Sequence, residues 1–174
     1  VSERSDGNFF CTIYTDASWC TENKMAVWAF YAKSSKGTVK NHGQCKGVIP
    51  CSTTGELYAI HEAVKSCQAE WPELDGFFIN TDSLASCHLL WPNNIKNSDH
   101  FKGKGLHRLK NYIHEIAGEK KGLPWLRVKH VKAHTGNGDI RSWLNRWCDK
   151  KALAGSRKMR MEVPSDNKES RVSP

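Results

Sequence analysis

Two runs of this chain end in an aspartate after a stretch of apolar and β-branched residues: Phe9-Phe10-Cys11-Thr12-Ile13-Tyr14-Thr15-Asp16 and Gly76-Phe77-Phe78-Ile79-Asn80-Thr81-Asp82. The first reads as a strand near the middle of a sheet, because aromatic and β-branched side chains favour a pleated, well-packed surface. The second is short and almost continuously apolar, as strands of parallel sheets covered on both faces tend to be. A single Asp closing a strand is ordinarily a turn former. Two of them gain meaning if the strands are parallel neighbours, since both carboxylates then emerge at the edge where α/β folds place their sites.

The remaining segments fit around that pair. Lys24 to Ala32 is apolar and aromatic and reads as a second strand, and Thr38 to Val48 as a third after a turn at Gly37. The short spacing of these three runs favours antiparallel hairpins. At Cys51-Ser52-Thr53-Thr54-Gly55-Glu56 the period changes. With Ser52 or Thr53 as N-cap, Leu57, Ile60, Ala63, Val64 and Cys67 recur at helical spacing until Trp71-Pro72. Glu56 then falls in the first helical turn, where compensation of the helix dipole competes with any chemical role. Ser83 to Trp91 and Leu106 to Ala117 read as helices and Trp125 to Val131 as a strand, with a last helix from Ile140 to Ala154. The order β-β-β-α-β-α-α-β-α predicts an α/β fold with a mixed five-stranded sheet, three antiparallel then two parallel strands, and helices on both faces. The expected organisation is a disordered lead-in at 1–8, one folded domain at 9–155 and a flexible basic and polar tail at 156–174.

Bulk properties narrow the class. The 174 residues suffice for one well-cored domain. A net charge of +8 favours a polyanionic partner. No apolar run is long enough to span a bilayer, so no membrane association is expected. Seven cysteines without a C-x-x-C pair suggest neither a zinc knuckle nor a disulfide framework, and point to a reducing, cytoplasmic location.

The acidic residues Asp16, Glu56, Asp82 and Asp149 stand out on this basic chain. Four hard oxygen ligands without a His or Cys cluster suit Mg²⁺ or Mn²⁺ better than zinc. Packed together without a cation they would repel and raise one another's pKa. The arrangement suggests two-metal phosphodiester hydrolysis. His134, in the Gly-flanked loop Lys132 to Asp139, is placed for mobile proton transfer or product release, with an ordinary surface histidine as the alternative.

The motifs Thr15-Asp16-Ala17-Ser18, Gly55-Glu56-Leu57, Asn80-Thr81-Asp82-Ser83, Val131-Lys132-Ala133-His134 and Asn145-Arg146-Trp147-Cys148-Asp149 resemble, in order and approximate spacing, those of type 1 ribonucleases H. The resemblance covers about residues 9 to 155. It implies a ribonuclease H-like fold and an endoribonuclease cutting the RNA strand of RNA–DNA hybrids, leaving 5′-phosphate and 3′-hydroxyl ends. It also implies two Mg²⁺ or Mn²⁺ ions held by Asp16, Glu56, Asp82 and Asp149, with His134 assisting and Ser18, Ser83 and Asn145 facing substrate. These are joined by Ser52 and Thr53, which stand where the family commonly has hybrid-contacting asparagines and can still donate hydrogen bonds. The chain departs from the family where Trp19-Cys20-Thr21-Glu22-Asn23 replaces a Gly-rich turn, and where Leu84 replaces a frequent polar residue.

Lys96, Lys102 and Lys104, in the polar segment Asn93 to Gly105, are candidates for phosphate contacts. The implied protein is a monomer that removes RNA primers and hybrids during replication. A DNA-directed nuclease or integrase-like relative, and a non-catalytic nucleic-acid-binding domain, remain as alternatives.

Overall fold

The computed structural model describes residues 9–90 and 106–132, together with Arg146 and Lys150. In chain order the elements are β1 (Phe10–Cys20), β2 (Met25–Ser34), β3 (Gly37–Gln44), α1 (Ser52–Glu70), β4 (Gly76–Thr81), α2 (Leu84–Leu90), α3 (Leu106–Ile116) and β5 (Trp125–His130). Arg146 and Lys150 are helical and exposed, within the span where the last helix is expected. The rest of that helix, the lead-in and the tail lie outside the described residues.

The five strands form one mixed sheet in the order β3-β2-β1-β4-β5. β1, β2 and β3 are antiparallel neighbours, whereas β4 pairs parallel with both β1 and β5. The expected sheet, with three antiparallel and two parallel strands, is therefore present. The bounds differ in one place that matters. β1 does not stop at Asp16 but pairs with β2 through Cys20↔Met25. Ala17 and Ser18 look like turn residues in sequence, yet an antiparallel partner accommodates small side chains without ending the strand.

Alternation along the strands sorts the side chains onto two faces. Cys11, Ile13, Ala26, Trp28, Phe30, Phe77, Ile79 and Leu126 share a single buried cluster with Leu57, Ile60, Val64 and Cys67 of α1 and Ile113 of α3. On the other face β2 contributes Val27 and Ala29, packed with Met25. The long hydrophobic stripe of α1 follows from apolar residues at helical spacing, and burying it is the main favourable contribution of this layer.

The parallel strands start together because one side chain and its backbone join them. Asp75 Oδ2 accepts the Phe9 N–H (3.1 Å), the Asp75 N–H donates to the Phe9 carbonyl (2.7 Å), and the Asp75 carbonyl accepts the Trp125 N–H (2.9 Å). The next residue, Gly76, lies between Phe10 and Trp125 in register, and those two rings meet across it with centroids 5.9 Å apart. A Cβ at Gly76 would sit 1.9 Å from the Trp125 indole.

The six described cysteines form no disulfide, and Cys11, Cys20, Cys45, Cys67 and Cys87 are buried. Burial pushes the Cys45 thiol up to about 12 and the Cys87 thiol up to about 11.

Gly76→Ala is expected to destabilise the protein by about 2 kcal/mol, since overpacking here must displace an aromatic ring. Urea denaturation with an unchanged m-value checks this.

Candidate active site

The site forms where the centre of the sheet splits. Parallel pairing of β1 with β4 ends at Tyr14↔Asn80. Asp16 and Asp82 each lie two residues further along their chains, so the two-residue period carries both carboxylates to the same face. Asp16 is held mid-strand, opposite Ala29 of β2, and is only 4% exposed. Asp82 follows the last residue of β4 and is half-buried.

Several bonds shape the turn that carries Asp82. The Asp82 carbonyl lies 3.2 Å from His130 Nε2, the Thr81 carbonyl accepts the Val131 N–H (2.9 Å), and Thr81 Oγ1 accepts the Ser83 N–H (3.1 Å). Ser83 then caps α2, its Oγ accepting the Ser86 N–H at 3.2 Å.

Glu56 arrives from α1. The helix begins at Ser52 with Cys51 as its N-cap, one residue before the earliest expected cap. Cys51 makes no side-chain cap to the backbone, and its Sγ lies 3.3 Å from Thr54 Oγ1. Glu56 thus falls beyond the first turn, which contains no acidic residue. Dipole compensation is a poor account of it, since that effect is confined to the first turn. What fixes its depth is Gly55, where a Cβ would lie 3.2 Å from Ala26 Cβ and 3.5 Å from Ala17 Cβ. Lacking that carbon, α1 closes tightly on the β1–β2 pair.

The three carboxylates converge, with one oxygen from each of Asp16, Glu56 and Asp82 within 4.8 Å of the others. Burial, reinforced by the negative charge of Asp82, pushes the Glu56 carboxyl well above the usual carboxylate range, against a backbone hydrogen bond from Ala17. Glu56 Oε2 is fully enclosed and has no hydrogen-bond partner. Asn80, two residues before Asp82, is also buried. Its Nδ2 donates to the Ile13 carbonyl at 3.4 Å, while its Oδ1 has no partner. Enclosed, unsatisfied acceptors beside clustered carboxylates are costly unless a cation or its hydration shell completes them. The donor set is all oxygen and fits a hard divalent ion.

Of the other residues picked from sequence, Ser18 lies in β1 on the same face as Asp16 and is half-buried. Ser52 and Thr53 open α1, the first exposed and the second half-buried, and Leu84 is 50% exposed at the start of α2. His134, Asn145, Asp149, Lys96, Lys102 and Lys104 lie outside the described residues. Asn80 was not singled out by sequence reasoning, although an amide at the end of an apolar run was the available signal.

Linkage gives Glu56 a testable sign. Its raised folded-state pKa means that ionising it opposes folding, so the metal-free protein loses stability as pH rises above about 4.5 towards the shifted value. Glu56→Gln is therefore expected to melt a few degrees higher than wild type at pH 7 in a chelator, with the gain fading on acidification below about 4.5. Thermal melts at the two pH values check this.

A sequence-family profile described as RNase H matches residues 10–157. No curated protein matches. Among solved structures, RNase H1 from the halophilic archaeon Halobacterium salinarum NRC-1 aligns with a TM-score of 0.55 at 18% identity, over 84% of this chain and 98% of that one. The prototype foamy virus protease–reverse transcriptase aligns with a TM-score of 0.60 at 19% identity, over 86% of this chain but 21% of the viral one. The N-terminal RNase H domain of a Mycobacterium tuberculosis protein, solved as a fusion with maltose-binding protein, gives 0.58 at 9% identity, over 87% and 99%. The matched span contains the whole sheet and all three converging carboxylates, and the chain belongs to the RNase H family.

Proposed function

We propose that this protein is an endoribonuclease that hydrolyses the RNA strand of RNA–DNA hybrids and depends on Mg²⁺ or Mn²⁺. The observation that carries the reading is the meeting of Asp16, Glu56 and Asp82 within 4.8 Å on a chain of net charge +8. Like charges in one crevice are retained against their repulsion when a cation is to be held there. Two bound ions would supply an activated water and stabilise the leaving oxygen of an in-line phosphodiester displacement, giving 5′-phosphate and 3′-hydroxyl ends.

The chain's own contribution is to fix oxygen ligands on rigid elements. Asp16 is held by a central strand, and Glu56 by a helix pressed onto Ala17 and Ala26. Asp82 is held by a turn bonded to β5. Asp149 would complete the ligand set, and His134 would move a proton or assist product release.

Recognition of a hybrid requires 2′-hydroxyls to be read on one strand and deoxyribose phosphates to be held on the other. Ser18, Ser52, Thr53, Ser83 and Asn145 offer polar groups for the first task, and Lys96, Lys102 and Lys104 offer charge for the second. The corresponding task in the cell is removal of RNA primers and hybrids during replication by a monomeric, cytoplasmic enzyme. Among the described residues no helix is long and apolar enough to cross a membrane.

End-labelled hybrid, duplex DNA and duplex RNA, each with and without Mg²⁺, test the proposal. Cleavage should be confined to the RNA strand of the hybrid and require the metal. Asp16→Asn and Asp82→Asn should each slow it on the order of 10³-fold, equivalent to about 4 kcal/mol in the barrier. Cleavage at the wild-type rate by Asp16→Asn would rule out this site.

A further inference from the structure

Beyond Asp16, β1 carries one large side chain, Trp19, that the catalytic reading leaves unused. Trp19 lies three residues past that carboxylate, half-buried against the core. Its indole Nε1–H donates to the Ile49 carbonyl at 2.9 Å. The Ile49 N–H donates in turn to the Lys24 carbonyl at 2.7 Å. Both backbone polar groups of one buried residue are thus held by the β1–β2 hairpin, one from each side of its turn.

Lys24 shows that the arrangement is specified. It sits at φ +56, in the left-handed region that costs free energy for a residue with a side chain. Its ammonium lies over the Trp19 ring, 5.2 Å from the centroid. The start of the same loop is fixed separately, by the Cys45 N–H donating to the Ala26 carbonyl at 2.9 Å. Only Pro50 then separates Ile49 from Cys51, the N-cap of α1. That cap makes no side-chain bond to the helix backbone, so the start of α1 depends on what precedes it.

We propose that Trp19 is a positioning residue for the acidic cluster. Acting through Ile49, its indole N–H holds the start of α1 against the hairpin, so that Glu56 stays within reach of Asp16 and Asp82. The proposal rests on the reading of that cluster as a divalent-metal site and adds to it a residue that touches neither metal nor substrate.

Trp19→Phe keeps an aromatic ring beneath Lys24 and removes the N–H donor. Three measurements follow on the full chain: Mn²⁺ affinity by electron paramagnetic resonance titration, kcat and KM on a hybrid, and amide exchange at Ile49, Phe77 and Ile79. The expected result is about tenfold weaker Mn²⁺ binding and about tenfold lower kcat, with KM within about twofold. Ile49 should exchange faster, while Phe77 and Ile79 keep their protection. Unchanged Mn²⁺ affinity alongside faster Ile49 exchange would overturn the proposal. So would loss of protection at Phe77 and Ile79 in step with Ile49, which would make Trp19 a general packing residue. A wild-type protein that binds Mn²⁺ but cuts no hybrid would remove the nuclease reading. The positioning role would then be judged, and supported or sunk, by the metal titration alone.

Discussion

The site exists because β1 has partners of unequal length. On one side it is paired antiparallel with β2 as far as Cys20, and on the other it loses β4 after Tyr14. A strand that keeps its partner on one side and loses it on the other leaves a crevice beside it, at the carboxyl end of the parallel pair where α/β sheets place their sites. Asp16 stands at this opening with its backbone still locked in the sheet. That is why a carboxylate can be almost wholly enclosed without lying at a strand end.

Holding three acidic side chains in such a crevice works against folding, and the surrounding layer offsets it. Gly55 brings α1 close enough for Glu56 to reach the cluster, and the next residue, Leu57, is fully buried in the core. The same helix therefore carries a row of buried apolar residues and a carboxyl pushed well above its usual range. Proteins commonly violate local preferences at functional positions and make up the loss in their packing. Here the two effects fall on adjacent residues, Glu56 and Leu57.

Much of this was legible in the sequence, for identifiable reasons. Period-two and period-3.6 patterns marked the strands and helices, and each converging carboxylate sat at a change of period or at the end of an apolar run. The extension of β1 was hidden because Ala17 and Ser18 resemble a turn when the pairing partner is unknown. The start of α1 was misplaced because cysteine is not a usual N-cap, and Ser52 and Thr53 offered the conventional signal. The hydrogen bond from Trp19 to Ile49 spans thirty positions and involves a main-chain carbonyl, which no side-chain pattern encodes. The orphaned Asn80 Oδ1 is likewise a property of three-dimensional enclosure.

The five buried thiols among the described residues carry a practical consequence. Cys11, Cys45 and Cys67 lie in the core cluster that packs α1 on the sheet, Cys20 and Cys87 are buried as well, and the thiols at Cys45 and Cys87 are held in the protonated, unreactive form. Reactivity towards an alkylating reagent then requires local opening, and each cysteine becomes a built-in reporter of how often its own part of the structure comes apart.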